Sequence, residues 1–194
     1  MLNKILQHRN IILASGSPRR QQFFKEMDLN FSIHLKDVEE IYPDDLKAEE
    51  ITDFLAELKA KAFENELKEH DILVTSDTIV WLNEKALGKP KNEEDAFKML
   101  QQLANQTHEV ITSVCIKSIA KSDVFHCVTK VTFSALSDEQ IRYYLEHYKP
   151  FDKAGSYGIQ DWIGLIGISK IEGSYTNVVG LPTEMLFQKL LNYA

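Results

Sequence analysis

The stretch from Ile11 to Arg20 restricts the fold of this chain more than any other. Ile11-Ile12-Leu13 is a short apolar run, Ala14-Ser15-Gly16-Ser17 is small and polar, and Pro18-Arg19-Arg20 opens the next segment. This order reads as a buried strand that enters a turn and then a helix. Ser17 suits the N-cap, and proline is tolerated at the first helical position. A helix N-terminus offers unpaired N–H groups and the positive end of a dipole, which suits an anion. Arginine pairs with phosphate in a two-pronged fork. Two readings stay open on these residues alone. One is a phosphate site with Ser15 and Ser17 as donors; the other is a plain strand–turn–helix junction with two solvated arginines.

The rest of the chain continues the alternation. Residues 17–28 read as a helix with Phe23, Phe24 and Met27 at helical spacing, and Phe31 to Leu35 as a short strand. Asp37 to Asp45 is acidic, carries Pro43 and reads as a loop. Residues 48–68 form the clearest helix, with an apolar stripe of Ile51, Phe54, Leu55, Leu58 and Ala62. Lys59 falls along the edge of that stripe, where it either snorkels or serves the interior. In residues 71–82 two apolar runs flank the triplet Ser76-Asp77-Thr78. Aspartate is depleted in strands and costly to bury alone. Asp77 therefore needs a partner or a metal, or else the triplet is a turn.

Leu87 to Pro90 reads as a loop, 93–103 as a helix, and Glu109 to Ile116 and Val124 to Phe133 as strands. Ser137-Asp138-Glu139-Gln140 is a capping box that opens a helix to about His147. Six of the 8 glycines lie between Gly155 and Gly180, which predicts short strands and tight turns over 151–182. A helix over 183–192 closes the pattern. Strands alternating with helices, then a hairpin, predict an α/β fold with a mixed sheet.

Composition excludes several functions. With 22 basic and 29 acidic residues the net charge is −7, against broad nucleic-acid binding but not against a small anionic substrate. The two cysteines, Cys115 and Cys127, form no metal or redox motif, and the six histidines are scattered. No run approaches the ~20 apolar residues of a membrane span, and Met1 to Asn10 has no signal-type segment. A soluble protein of the cytoplasm is expected.

Three sets of residues could carry chemistry. They are the turn Ser15 to Arg20, the cations Lys59, Lys89 and Lys153, and the carboxylates Glu39 or Glu40 with Asp77. Carboxylates that hold a hard cation, beside lysines that neutralise phosphate charge, suit a metal-bound nucleotide. No Walker-type loop, no dinucleotide-binding G-x-G-x-x-G and no G-x-S-x-G elbow is present.

Leu13-Ala14-Ser15-Gly16-Ser17-Pro18-Arg19-Arg20 resembles the opening signature of the Maf family of nucleotide pyrophosphatases. The likeness continues through Ala56 to Ala62, Ser76-Asp77-Thr78-Ile79-Val80 and Leu87-Gly88-Lys89-Pro90. It runs on through Asp152 to Gln160, Gly173-Ser174-Tyr175 and Asn177 to Pro182. The blocks follow one another in the family's order over nearly the whole chain.

The resemblance implies one domain over 1–194, in two lobes around a central substrate cleft. The implied fold is like that of the inosine triphosphate pyrophosphatases, an elongated, twisted mixed sheet flanked by helices. It implies hydrolysis of a nucleoside triphosphate to the monophosphate and pyrophosphate with a divalent cation, magnesium or manganese. Asp77 matches the proton acceptor and a metal ligand. Arg19, Thr78 and Gln160 match positions tied to substrate choice, and Ser15, Glu39, Lys59 and Lys89 line the family's cleft, with Glu40 the alternative to Glu39. The pairs Asp77-Thr78 and Gly158-Ile159-Gln160 resemble the branch that acts on dTTP and UTP. Ser76 stands where that branch usually has alanine or glycine. A homodimer and a housekeeping role in the nucleotide pool are further family-level expectations. The competing reading is a nucleotide-binding regulator of cell division with little catalysis.

Overall fold

The structure is a computed structural model that describes all 194 residues. In chain order the elements are α1 (Leu2–Ile5), β1 (Asn10–Leu13), α2 (Pro18–Glu26), β2 (Phe31–Ile33), α3 (Glu49–Lys61), β3 (Asp71–Leu82), β4 (Lys85–Leu87), α4 (Glu93–Leu103), β5 (Thr107–Lys117) and β6 (Ser122–Phe133). There follow α5 (Asp138–Tyr148), a 3-10 turn (Ala154–Ser156), α6 (Trp162–Gly167), β7 (Ile168–Glu172), α7 (Tyr175–Val179) and α8 (Thr183–Leu191). The strands form one sheet in the order β2-β1-β3-β5-β6-β7, with β4 on β3. β1 pairs parallel with β2 and β3, whereas β3/β4 and β6/β7 are antiparallel, so the sheet is mixed as the sequence predicts.

The chain divides into two compact units: Met1–Asp77 with Thr112–Cys127 and Gly180–Ala194, and Thr78–Ile111 with Val128–Val179. In the first unit strand alternation sorts the side chains onto two faces. Ile11, Leu13, Ile72, Val74, Val114 and Ile116 pack with Phe24 of α2 and with Leu186 and Leu190 of α8. The intervening Ile12, Leu73 and Cys115 pack with Ala56 and Ala60 of α3. Thr75 and Asp77 continue the α3 face of β3. In the second unit one core joins Phe97 and Leu100 of α4, Ile141 and Tyr144 of α5, and Val131 and Phe133 of β6.

Several expectations change. Of the two readings left open for residues 71–82, the structure has a single strand of 12 residues, in which Thr75 and Asp77 find partners on α3. The long helix stops at Lys61; Phe63 turns into the core, and tight bonds from Phe63, Glu64 and Glu66 replace helical ones. Residues 151–182 contain one strand only, β7, and otherwise fold as short helices and turns. Their glycines allow helix and turn backbone to approach neighbours closely, a use that composition does not separate from strand bends. The capping box at Ser137 and Gln140 is present with both of its bonds.

Candidate active site

In the first unit the site grows from the register of α3 on β3. Thr75 and Asp77 point to one face of the strand, two residues apart. Ala56 and Lys59 lie on one face of the helix, three residues apart. The Thr75 hydroxyl donates to the Ala56 carbonyl at 2.6 Å, which sets the helix against the strand. The next turn then places the Lys59 ammonium 2.6 Å from Asp77 Oδ1. The same ammonium lies 2.8 Å from Glu40 Oε1. Lys59 thus reaches inward and does not snorkel. Asp77 is only 7% exposed, and its ion pair is what makes a carboxylate tolerable in the middle of a strand.

The turn after β1 closes on the same strand. Arg20 donates from Nε to the Gly180 carbonyl at 2.8 Å and from Nη1 to the Ser76 carbonyl at 2.9 Å. A longer contact of 3.4 Å reaches Ser15 Oγ. Burial lowers the Arg20 pKa, the Asp77 and Glu40 carboxylates act in the opposite sense, and Arg19 adds to the lowering. The guanidinium stays charged throughout, because arginine does not deprotonate in proteins. Arg20 is therefore a clamp on the strand next to Asp77, which rules out for it the open reading of two solvated arginines. Helical geometry explains the difference: Arg19 and Arg20 are ~100° apart around α2, so one of them turns to the strand. Ser17 occupies the N-cap position with extended backbone but makes no side-chain cap bond. Its N–H donates instead to Ser15 Oγ at 3.3 Å.

The second unit holds Thr78, Lys89, Lys153 and Gln160. Lys89 and Gln160 are exposed, and Thr78 is partly buried. The loop that carries Lys89 is fixed by the Gly155 N–H, which donates to the Gly88 carbonyl at 3.0 Å. Lys153 Nζ lies 2.8 Å from Asp152 Oδ1 and 3.9 Å from Asp161 Oδ2. Gln160 lies in a turn that the Asp161 N–H closes onto the Gly158 carbonyl at 3.0 Å.

The donor set bears on a metal. No group of three or more His, Cys, Asp or Glu side chains is arranged as an all-protein cage. Asp77 and Glu40, however, bring two carboxylates to one cationic group, Lys59. Magnesium-type cations are often held by one or two carboxylates together with substrate phosphates. The pair fits that mode. Of the two adjacent glutamates left open by the sequence, Glu40 is the one that meets Lys59.

A family model described as Maf-like protein matches residues 10–193. The chain belongs to the Maf family. It is 66% identical over 190 residues to a dTTP/UTP pyrophosphatase of Flavobacterium johnsoniae, covering 98% of each chain. It is 63% identical over 193 residues to a dTTP/UTP pyrophosphatase of Flavobacterium psychrophilum, covering 100% of this chain and 99% of that one. Among solved structures the Staphylococcus aureus Ham1 protein is similar in fold, with a TM-score of 0.54 at 16% identity over 93% of this chain and 100% of that one. No helix of this Maf protein is long and apolar enough to cross a membrane.

Within the first unit of this Maf chain Lys59 holds Asp77 and Glu40, and Arg20 contacts Ser15 and the carbonyl of Ser76, the residue before Asp77. Sequence reasoning passed over Tyr144 and Asp161, which bond to each other and to the Gln160 turn. A tyrosine on an apolar helix face reads as core, and nothing local marks its hydroxyl.

Proposed function

We propose that the chain hydrolyses dTTP and UTP, and modified pyrimidine triphosphates, to the nucleoside monophosphate and pyrophosphate. The observation that carries this reading is the buried Asp77 carboxylate held at 2.6 Å by Lys59, with Glu40 on the same ammonium. The near-full-length relatives named dTTP/UTP pyrophosphatase support the substrate class.

In the reaction water attacks the α-phosphorus in line, the bond to the bridging oxygen breaks, and pyrophosphate leaves. Asp77 accepts the proton that the attacking water loses, and Lys59 holds the carboxylate in place. Asp77 and Glu40 would hold a divalent cation, magnesium or manganese, with Glu39 the neighbouring alternative. When bound, that cation supplies charge neutralisation on the phosphate oxygens. Ser15, Ser17, Arg19, Lys89 and Lys153 are assigned to the triphosphate, where cations and hydroxyl donors stabilise the developing charge of the leaving pyrophosphate. Thr78 and Gln160 are assigned to the base and sugar. The Gln160 amide both donates and accepts, which suits the edge of a pyrimidine. The proposal extends to one functional domain, a cytoplasmic housekeeping role and a homodimer, on the family resemblance.

The reading of the chain as a regulator with little catalysis is not favoured. A pure binder of phosphates has no use for a buried carboxylate beside them. The test is pyrophosphate release from a panel of nucleoside triphosphates with magnesium or manganese. Release from dTTP and UTP ahead of purine nucleotides is expected; no pyrophosphate from any nucleotide with either metal overturns the proposal.

A further inference from the structure

The turn that carries Gln160 is fixed by a buried hydroxyl that takes no part in the chemistry proposed above. Tyr144 of α5 is fully buried, yet its hydroxyl is used twice. It donates to Asp161 Oδ2 at 2.7 Å and accepts from the Gly158 N–H at 3.0 Å. One hydroxyl thus ties the residue two before Gln160 to the residue after it. Burial, and next the bond to Asp161, hold the Tyr144 pKa far above the ordinary tyrosine range, so the hydroxyl keeps its proton.

Two glycines make the arrangement possible. A Cβ on Gly158 would lie 2.5 Å from Asp161 Oδ2 and 3.0 Å from Lys153 Cε. A Cβ on Gly164 would lie 1.9 Å from the Ile159 carbonyl oxygen. α6 therefore packs bare backbone onto the turn from one side while Tyr144 holds it from the other. A third contact comes from β5, where His108 Nε2 and the Tyr157 hydroxyl are 2.7 Å apart just before the turn.

We infer that Tyr144 is a positioning residue for base selection: through Gly158 and Asp161 it presets the Gln160 turn before substrate arrives. This rests on the assignment of Gln160 to the base. Preorganisation of this kind lowers the ordering cost of binding. It acts on KM and on the choice of base more than on turnover, because Tyr144 is remote in role from the proton transfer at Asp77.

The test is a double-mutant cycle with Tyr144→Phe and Gln160→Ala, reading kcat and KM for dTTP and for one purine triphosphate. Tyr144→Phe keeps the ring and removes one hydroxyl. It is expected to raise the KM for dTTP about tenfold, the equivalent of one net hydrogen bond, with kcat within about twofold. The preference for dTTP over the purine should shrink in parallel. In the Gln160→Ala background Tyr144→Phe should change that preference no further. If Tyr144→Phe does not fold, Asp161→Asn replaces it, with the same expected split. Loss of preference in Gln160→Ala but not in Tyr144→Phe or Asp161→Asn overturns the positioning role. An unchanged preference in Gln160→Ala overturns the base assignment itself. A Tyr144→Phe effect on kcat alone also contradicts the inference.

Discussion

Asp77 and Gln160 stand in neighbourhoods held in different ways. Around Asp77 the groups are ionic: Lys59 in direct contact, Glu40 on the same ammonium, and Arg20 clamped to the carbonyl of the preceding residue. Around Gln160 a neutral hydroxyl, that of Tyr144, and backbone groups hold the turn through one carboxylate, Asp161, and packing is close enough that a Cβ at Gly158 or Gly164 would clash. The first neighbourhood suits a group that must stay charged and meet a changing charge on phosphate. The second suits a group that must keep its shape to discriminate one base from another. Substitutions in the first should act on rate and on stability through charge; those in the second should act on affinity and selectivity.

The sharpest break of this contrast is Asp77→Asn, which keeps size and removes the proposed proton acceptor. A general base contributes about 10²–10⁴-fold, so kcat should fall by at least that range with KM little changed. Steady-state kinetics on dTTP checks this; near-normal turnover removes Asp77 from the role. Next in size is Arg20→Ala. Two carbonyl acceptors lose a charged donor and the carboxylates lose a neighbouring cation, so stability should drop by about 3 kcal/mol or more. Arg20→Lys should recover only part of it, since an ammonium cannot reproduce the fork. Urea denaturation of the two variants reads the difference.

In the second unit stability depends on pH through His108. His108 is buried, stacks on Phe133, and its Nδ1 has no hydrogen-bond partner. Burial pushes its pKa down to about 4. The folded-state value lies below the unfolded value of about 6.5, so the unfolded chain takes up the proton first as pH falls. The stability that neutral His108 permits is complete above about pH 6.5 and is lost as pH drops towards 4, by up to about 3 kcal/mol. Denaturation at pH 7 and pH 5 should show a smaller pH dependence in His108→Gln than in the wild type; equal slopes would exclude His108 as the source. The smallest effect expected is at Ser76, whose buried hydroxyl has no partner. Ser76→Ala should be neutral or stabilising by up to about 1 kcal/mol, measured by thermal melting. A clear loss would mean that the hydroxyl has a function.

Much of the fold was legible because its signals are local. Pro18 after a small polar turn marks α2, Asn92 caps α4, and Ser137 with Gln140 caps α5. What was not legible depends on distant partners. Asp77 inside β3 makes sense only with Lys59, which lies 18 residues earlier on another element. Glu39 and Glu40 occupy an irregular loop, where no periodicity tells which side chain meets Lys59. The inward turn of Arg20 has no local sign, because its acceptors, Ser76 and Gly180, are 56 and 160 residues away. The glycines from 155 to 180 suggested strand bends, yet at Gly158 and Gly164 they make room for Asp161 and for the Ile159 carbonyl.

The central claim is that water attacks the α-phosphorus and pyrophosphate leaves. Hydrolysis of dTTP in water enriched in oxygen-18, followed by mass spectrometry of both products, tests it directly. The label is expected in the nucleoside monophosphate, with none in pyrophosphate. Label in pyrophosphate, or orthophosphate as the released product, would contradict the account.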